Sequence, residues 1–159
     1  MSGVVKLSEA ASIALHAMTL LASRADEHVS VKDLASRLPV SETHLAKVLQ
    51  RLVKAGLVTS VRGPGGGFAL RADPRATTLL QIYEAIEGKL EVAECMFSQR
   101  PESCSACILD DALAEANRIV YSRLARTRLS QLSGTFAAAA PLVALGRPKP
   151  ADRHTPRRI

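Results

Sequence analysis

The sequence predicts a mainly α fold carrying one small β-hairpin. Three observations point there. The chain has no Trp, three Phe and two Tyr, so its core must be built from Leu, Val, Ile and Ala, a diet that favours helices. Apolar residues recur at helical spacing in several separate stretches. One β-branched run, Leu57 to Val61, is followed by Arg62-Gly63-Pro64-Gly65-Gly66-Gly67 and then by Phe68-Ala69-Leu70, the pattern of two short strands joined by a glycine-rich turn.

The elements follow in order. Ser8 is an N-cap for a first helix from Glu9 to about Arg24, whose apolar positions Ala11, Ile13, Ala14, Leu15, Ala17, Met18, Leu20 and Leu21 cover more than one face, so that two sides should be buried. A turn through Ala25 to Val29 leads to Ser30 and Asp33, which stand in capping-box relation and open a short helix, Val31 to Arg37. Pro39 disfavours helical geometry at Leu38 and closes that helix off. Ser41 caps the next, Glu42 to Ala55, with the stripe Leu45, Val48, Leu49, Leu52 and Val53, and Gly56 ends it as a left-handed residue. After the hairpin, Asp73-Pro74 breaks the chain, Thr77 or Thr78 caps a helix from about Leu79 to Glu87, and Gly88 stops it. Residues 89–107 show no period and read as a loop. A long helix is expected from about Ile108 to Leu132, with Leu109, Ala112, Leu113, Ala116, Ile119, Val120, Leu124, Leu129 and Leu132 as its apolar positions and Gly134 as its end. The Ala-rich, Pro-rich and basic remainder reads as a partly disordered tail.

A chain of 159 residues suits one compact domain with an appended element. Its formal net charge of +6 raises the prior for a polyanionic partner, nucleic acid or an anionic membrane surface. The position of the charge weakens that argument. Arg147, Lys149, Arg153, Arg157 and Arg158 stand against Asp152 alone, so four of the six net charges sit in the last stretch. The N-terminus lacks the pattern of a secretory leader, and no apolar stretch is long enough to span a bilayer, so no membrane association and a cytoplasmic location are expected. Three cysteines, an odd count, make a disulfide framework unexpected there.

Two short helices joined by a tight turn and followed by a hairpin is the order of a winged helix-turn-helix. A helix fits the major groove and presents residues near its N-terminus to base edges. Here these are Ser41, Glu42, Thr43, His44 and Lys47, with Gln50 and Arg51 a turn further on. Hydroxyl, imidazole and cationic groups suit base edges and phosphates. Arg62 and Gly63 sit at the hairpin tip, where glycines let the backbone approach closely and an arginine can enter a narrow minor groove. Taken singly, His44, Lys47 and Arg51 also fit a solvated face, and the glycine turn fits an ordinary surface hairpin. Their combination points to double-stranded DNA. The glycine loop lies between strands and lacks the Lys-Ser/Thr ending of a phosphate-cradling loop. No triad or paired-carboxylate constellation is present, so no enzyme is expected.

Cys95, Cys104 and Cys107 fall in one loop just before the long helix. Thiolates bind soft metals and iron–sulfur clusters, and three in so short a loop can reach a common centre. By spacing alone, zinc, a redox-active thiol pair and incidental cysteines all stay open. Only one C-x-x-C is present, Cys104 to Cys107, and a four-cysteine site within one chain is impossible.

The run Ser41-Glu42-Thr43-His44-Leu45-Ala46-Lys47-Val48-Leu49-Gln50-Arg51-Leu52, leading into Ala55-Gly56-Leu57-Val58-Thr59-Ser60-Val61-Arg62-Gly63-Pro64-Gly65-Gly66-Gly67-Phe68, resembles the recognition helix and wing of the Rrf-type winged helix-turn-helix transcription regulators, the IscR/NsrR-like iron–sulfur and nitric-oxide sensing family. The likeness runs from Lys6-Leu7-Ser8 to about Leu132. It implies a homodimeric regulator, expected to be a repressor, whose long C-terminal helix crosses its counterpart while each protomer reads half of an operator. The apolar stripe Leu109 to Leu124 suits that role independently, being too long and apolar for a lone surface helix. The resemblance also implies an iron–sulfur cluster, 2Fe–2S or 4Fe–4S, on Cys95, Cys104 and Cys107, although Cys104 lies closer to Cys107 than the family's spacing has it. Asp110 or His16 would be the fourth ligand, each matching a position used by one subgroup; Ser12 stands where another uses Asp. The expected organisation is therefore a winged helix-turn-helix domain at 1–88, a cysteine-bearing sensor loop at 89–107, a dimerisation helix at 108–134 and a basic tail at 135–159. Two other functions compete: a cluster-free winged-helix regulator sensing thiols or a partner, and a small metal or electron-transfer protein.

Overall fold

The computed structural model describes residues 7–24, 27–91, 101–105, 108–109, 111–132 and 134–136. The elements are α1 (Glu9–Ala22), α2 (Val31–Ala35), α3 (Glu42–Lys54), β1 (Val58–Val61), β2 (Gly67–Leu70), α4 (Leu79–Glu87) and α5 (Ala112–Arg126), with a 3-10 turn at Leu129–Leu132. The mainly helical fold with one antiparallel hairpin is as expected. The tail after residue 136 lies outside the described residues.

Local chemistry sets the helix starts. Ser8, Ser30, Ser41 and Thr78 each accept a hydrogen bond from a backbone N–H three residues on, satisfying one of the donors a helix leaves unpaired. Thr78 and Gln81 form a full capping box. At α2 the exchange is shorter: the Ser30 hydroxyl also donates to the Asp33 carboxylate, at 2.7 Å. The helix ends at Ala35 rather than Arg37, because Arg37 and Leu38 take tighter bonds to Leu34 and Ala35 ahead of Pro39. Gly56 ends α3 at φ 75°.

The core joins all these elements. Ala14, Ala17, Met18 and Leu21 of α1 meet Leu34 of α2, Leu45, Val48, Leu49 and Leu52 of α3, Val58 and Phe68 of the hairpin, and Ile82 and Ile86 of α4. The hairpin pairs Val58 with Leu70 and Val61 with Gly67. Val29, ahead of α2, adds one further rung on the other edge of β2 by pairing with Phe68.

The long C-terminal helix needs correction at both ends. It begins at Ala112, not Ile108, and stops at Arg126, where Thr127 turns extended at φ −84°, ψ 120°. The cause is a competing set of backbone bonds. Leu79 N–H donates to the Thr127 carbonyl (3.0 Å), Leu129 N–H to Thr77 (2.9 Å) and Ser130 N–H to Pro74 (2.8 Å), while the Arg128 guanidinium donates to the carbonyls of Arg75 and Ala76. Leu129 is thereby buried completely within the core of α1–α4. Residues 127–132 belong to the same packed body as the first four helices. Among the described residues, no helix is long and apolar enough to cross a membrane.

Candidate nucleic-acid interface

With about 100° between successive residues, α3 divides into rows. Leu45, Val48, Leu49 and Leu52 face the core. Thr43, Lys47, Gln50 and Lys54 form the opposite row, all exposed, along a shallow groove that Ala46 and Arg51 also border. This row continues the expected reading surface one turn further, to Lys54. The i, i+4, i+7, i+11 spacing from Thr43 carried that signal in the sequence. Ser41 is exposed, and its side chain is engaged in capping the His44 N–H at 3.2 Å.

His44 and Arg51 lie to one side of the outward row, about 90° and about 70° round from its mean direction. His44 Nδ1 is 3.8 Å from a Glu9 carboxylate oxygen on α1. The Arg51 guanidinium donates to the backbone carbonyl of Ile86 in the last turn of α4. Close by, the Ser8 hydroxyl donates to Glu87 (2.7 Å), and the Leu90 N–H donates to the Glu84 carboxylate (3.1 Å). Tyr83 is on the same helix; burial, then the charge of Glu87, raises its phenol above the usual value.

The wing projects beside α3. Arg62, Gly63, Pro64 and Gly65 are all exposed, and Gly66 N–H closes the turn on the Gly63 carbonyl at 2.9 Å. Two of the glycines are needed for space. A Cβ on Gly66 would stand 2.3 Å from the Val61 carbonyl oxygen, and one on Gly67 would stand 2.5 Å from that of Val29. Lys47 and Lys54 on the outward row of α3 and Arg62 at the wing tip are thus exposed cations with chemistry suited to a phosphate backbone and base edges.

The expected sensor residues are only partly visible. Cys104 is half-buried, its N–H donating to the Pro101 carbonyl at 2.9 Å; Cys95, Cys107 and Asp110 lie outside the described residues. His16 is exposed on α1. Its Nδ1 bonds the Ser12 carbonyl at 2.7 Å, and its ring meets Phe136 edge-on with centroids 6.1 Å apart. That bond leaves Nε2 as the ring nitrogen turned to other partners. Among the described residues, no three metal-ligating side chains converge.

The model of the Rrf2 family, described as an iron-dependent transcriptional regulator, matches residues 7–135. The chain belongs to the Rrf2 family. Among Rrf2-like relatives, the HTH-type regulator BadM of Rhodopseudomonas palustris is 34% identical over 129 residues, 80% of this chain and 81% of that one. The HTH-type regulator IscR of Vibrio campbellii is 33% identical over 92 residues, 57% of this chain and 55% of its own. Two solved structures are similar: CymR, the global cysteine regulator of B. subtilis (TM-score 0.68, 27% identity, 83% of this chain and 98% of that one), and T. potens IscR (TM-score 0.63, 28% identity, 90% and 95%). This Rrf2 chain is a DNA-binding transcription regulator, and its relatives are regulators rather than enzymes.

Proposed function

We propose that the chain is a homodimeric repressor that reads its operator with α3 and the wing, under the control of an iron–sulfur cluster. The observation that carries the DNA-reading part is the exposed row Thr43, Lys47, Gln50 and Lys54, together with the exposed wing tip at Arg62 and Gly63. Ser41 and His44, also expected from the sequence, lie at the start of the same helix. The dimer is supported by α5, where Ile119 is 62% exposed and Tyr121 is also uncovered, and by Leu109, exposed just ahead of that helix.

The sensing part is supported by the family's description as iron-dependent and by the donor set. Three thiols in one segment are the soft ligands such a group takes. Cys95, Cys104 and Cys107 would hold it, with Asp110 or His16 as a fourth ligand. When bound, the cluster supplies a centre sensitive to oxidants, nitric oxide and iron supply. The chain's own part is to tie the cysteine segment between α4 and α5, so that the ligation state biases the packing of the two helices.

The likeness to the global cysteine regulator CymR favours a second reading, a cluster-free regulator that answers to thiol chemistry. One preparation separates the two. Anaerobically purified protein is examined by absorbance, iron and sulfide analysis and native mass spectrometry, and DNA binding is measured before and after chelation. Stoichiometric iron and sulfide with a change in binding support the cluster. Their absence, with binding altered by thiol oxidation alone, supports the second reading.

A further inference from the structure

We propose that Arg51 is a positioning residue: it ties α3 to the end of α4, at the root of the cysteine-bearing segment, and acts on DNA through the helix instead of holding a phosphate. The proposal rests on α3 being the reading helix. It gives Arg51 a role different from that of Lys47, one turn earlier.

Three observations converge. First, Arg51 borders the outward row of Thr43, Lys47, Gln50 and Lys54, one turn beyond Lys47 and exposed like it, yet it is committed elsewhere. Its guanidinium has an acceptor within the chain, the Ile86 carbonyl. Second, that carbonyl is one that a helix leaves unpaired. The last four carbonyls of a helix have no partner within it, and α4 stops at Gly88. A cation there also meets the negative end of the helix dipole. Arg51 therefore caps α4 from another helix. Third, the bond is one of several at the same junction. Ser8 at the start of α1 donates to Glu87, and Leu90 folds its N–H back to Glu84. The start of α1, the third turn of α3, the end of α4 and the entry to the cysteine segment thus meet within a few residues. A shift at residues 88–91 is passed through Ile86 to Arg51, and so to the tilt of α3.

The test uses the full chain and a duplex selected by the wild-type protein from a random-sequence library. Affinity is measured across a salt series for wild type, Lys47→Ala, Arg51→Ala and Arg51→Gln, and hydrogen exchange is followed at the Gly88 and Leu90 amides. Lys47→Ala should lower the salt slope by about one, as the loss of a phosphate contact does. Arg51→Ala should bind about tenfold more weakly at every salt concentration with the wild-type slope, and both amides should exchange faster. Arg51→Gln, which keeps a hydrogen-bond donor, serves if the alanine variant fails to fold and should shift in the same direction. A slope lowered by about one with unchanged exchange would make Arg51 a phosphate ligand and overturn the proposal, as would unchanged affinity. If Lys47→Ala and Arg62→Ala both bind as wild type does, α3 is not the reading helix, and the proposal falls with that reading.

Discussion

Val29 and Phe68 exchange both of their backbone hydrogen bonds, at 2.8 and 2.9 Å, so the wing is anchored by a further rung supplied by the chain before α2. The close approach needs a residue without a side chain next to Phe68. Gly67→Ala would set a Cβ 2.5 Å from the Val29 carbonyl oxygen. Backbone cannot retreat as a side-chain tip can, so the variant should lose about 1–3 kcal/mol, the usual cost of overpacking. A chemical denaturation series measures this, and an unchanged midpoint would show that the rung is dispensable.

Arg62 makes no such structural contribution, being exposed at the tip. Arg62→Ala should leave the melting temperature unchanged while weakening operator binding by about 1–3 kcal/mol, the scale of one arginine reading a base edge. Fluorescence anisotropy with a labelled duplex checks the affinity, and unchanged affinity would remove the wing from the interface.

Leu129 and Ile119 should separate stability from assembly. Leu129 is fully buried among the first four helices, so Leu129→Ala should cost about 2–5 kcal/mol. Ile119 is 62% exposed on α5. Ile119→Asp should leave protomer folding intact and shift sedimentation toward the monomer. If the sedimentation coefficient does not move, α5 does not form the dimer contact.

Tyr83 sets an alkaline limit. Burial, with Glu87 adding to it, raises its phenol above the ordinary value of 10.0. The unfolded chain then releases that proton at a lower pH than the folded one. The contribution is present below pH 10 and is lost as pH rises through the folded value. Thermal melts of wild type and Tyr83→Phe across this range should diverge, with the wild type falling faster.

Much of this architecture was legible because it is local. Ser8, Ser30, Ser41 and Thr78 bond to N–H groups three residues away, and the stripe Leu45 to Leu52 repeats within one helix. The outward row of α3 and the exposed wing tip follow from the same short-range patterns. What escaped the sequence joins distant backbone. The pairing of Val29 with Phe68 and the return of Thr127 to Ser130 onto residues 74–79 use N–H and carbonyl groups that every residue carries, so nothing in the side chains announces them. Leu129 and Leu132 kept a helical spacing that a 3-10 turn satisfies equally, which extended the expected helix too far. Arg51 resembled a solvated cation for the same reason, since its acceptor is the main chain of Ile86.

The burial of Leu129 has a consequence for synthesis. The chain leaves the ribosome from its N-terminus, and α1 to α4 with the hairpin emerge well before the segment that closes their core. A nascent chain that has reached α4 already carries every residue of α3 and the wing, yet it still lacks the leucine that seals the packing beneath them. Completion of the DNA-reading body is therefore coupled to translation of the cysteine segment and α5, which must both be made before Leu129 can be placed.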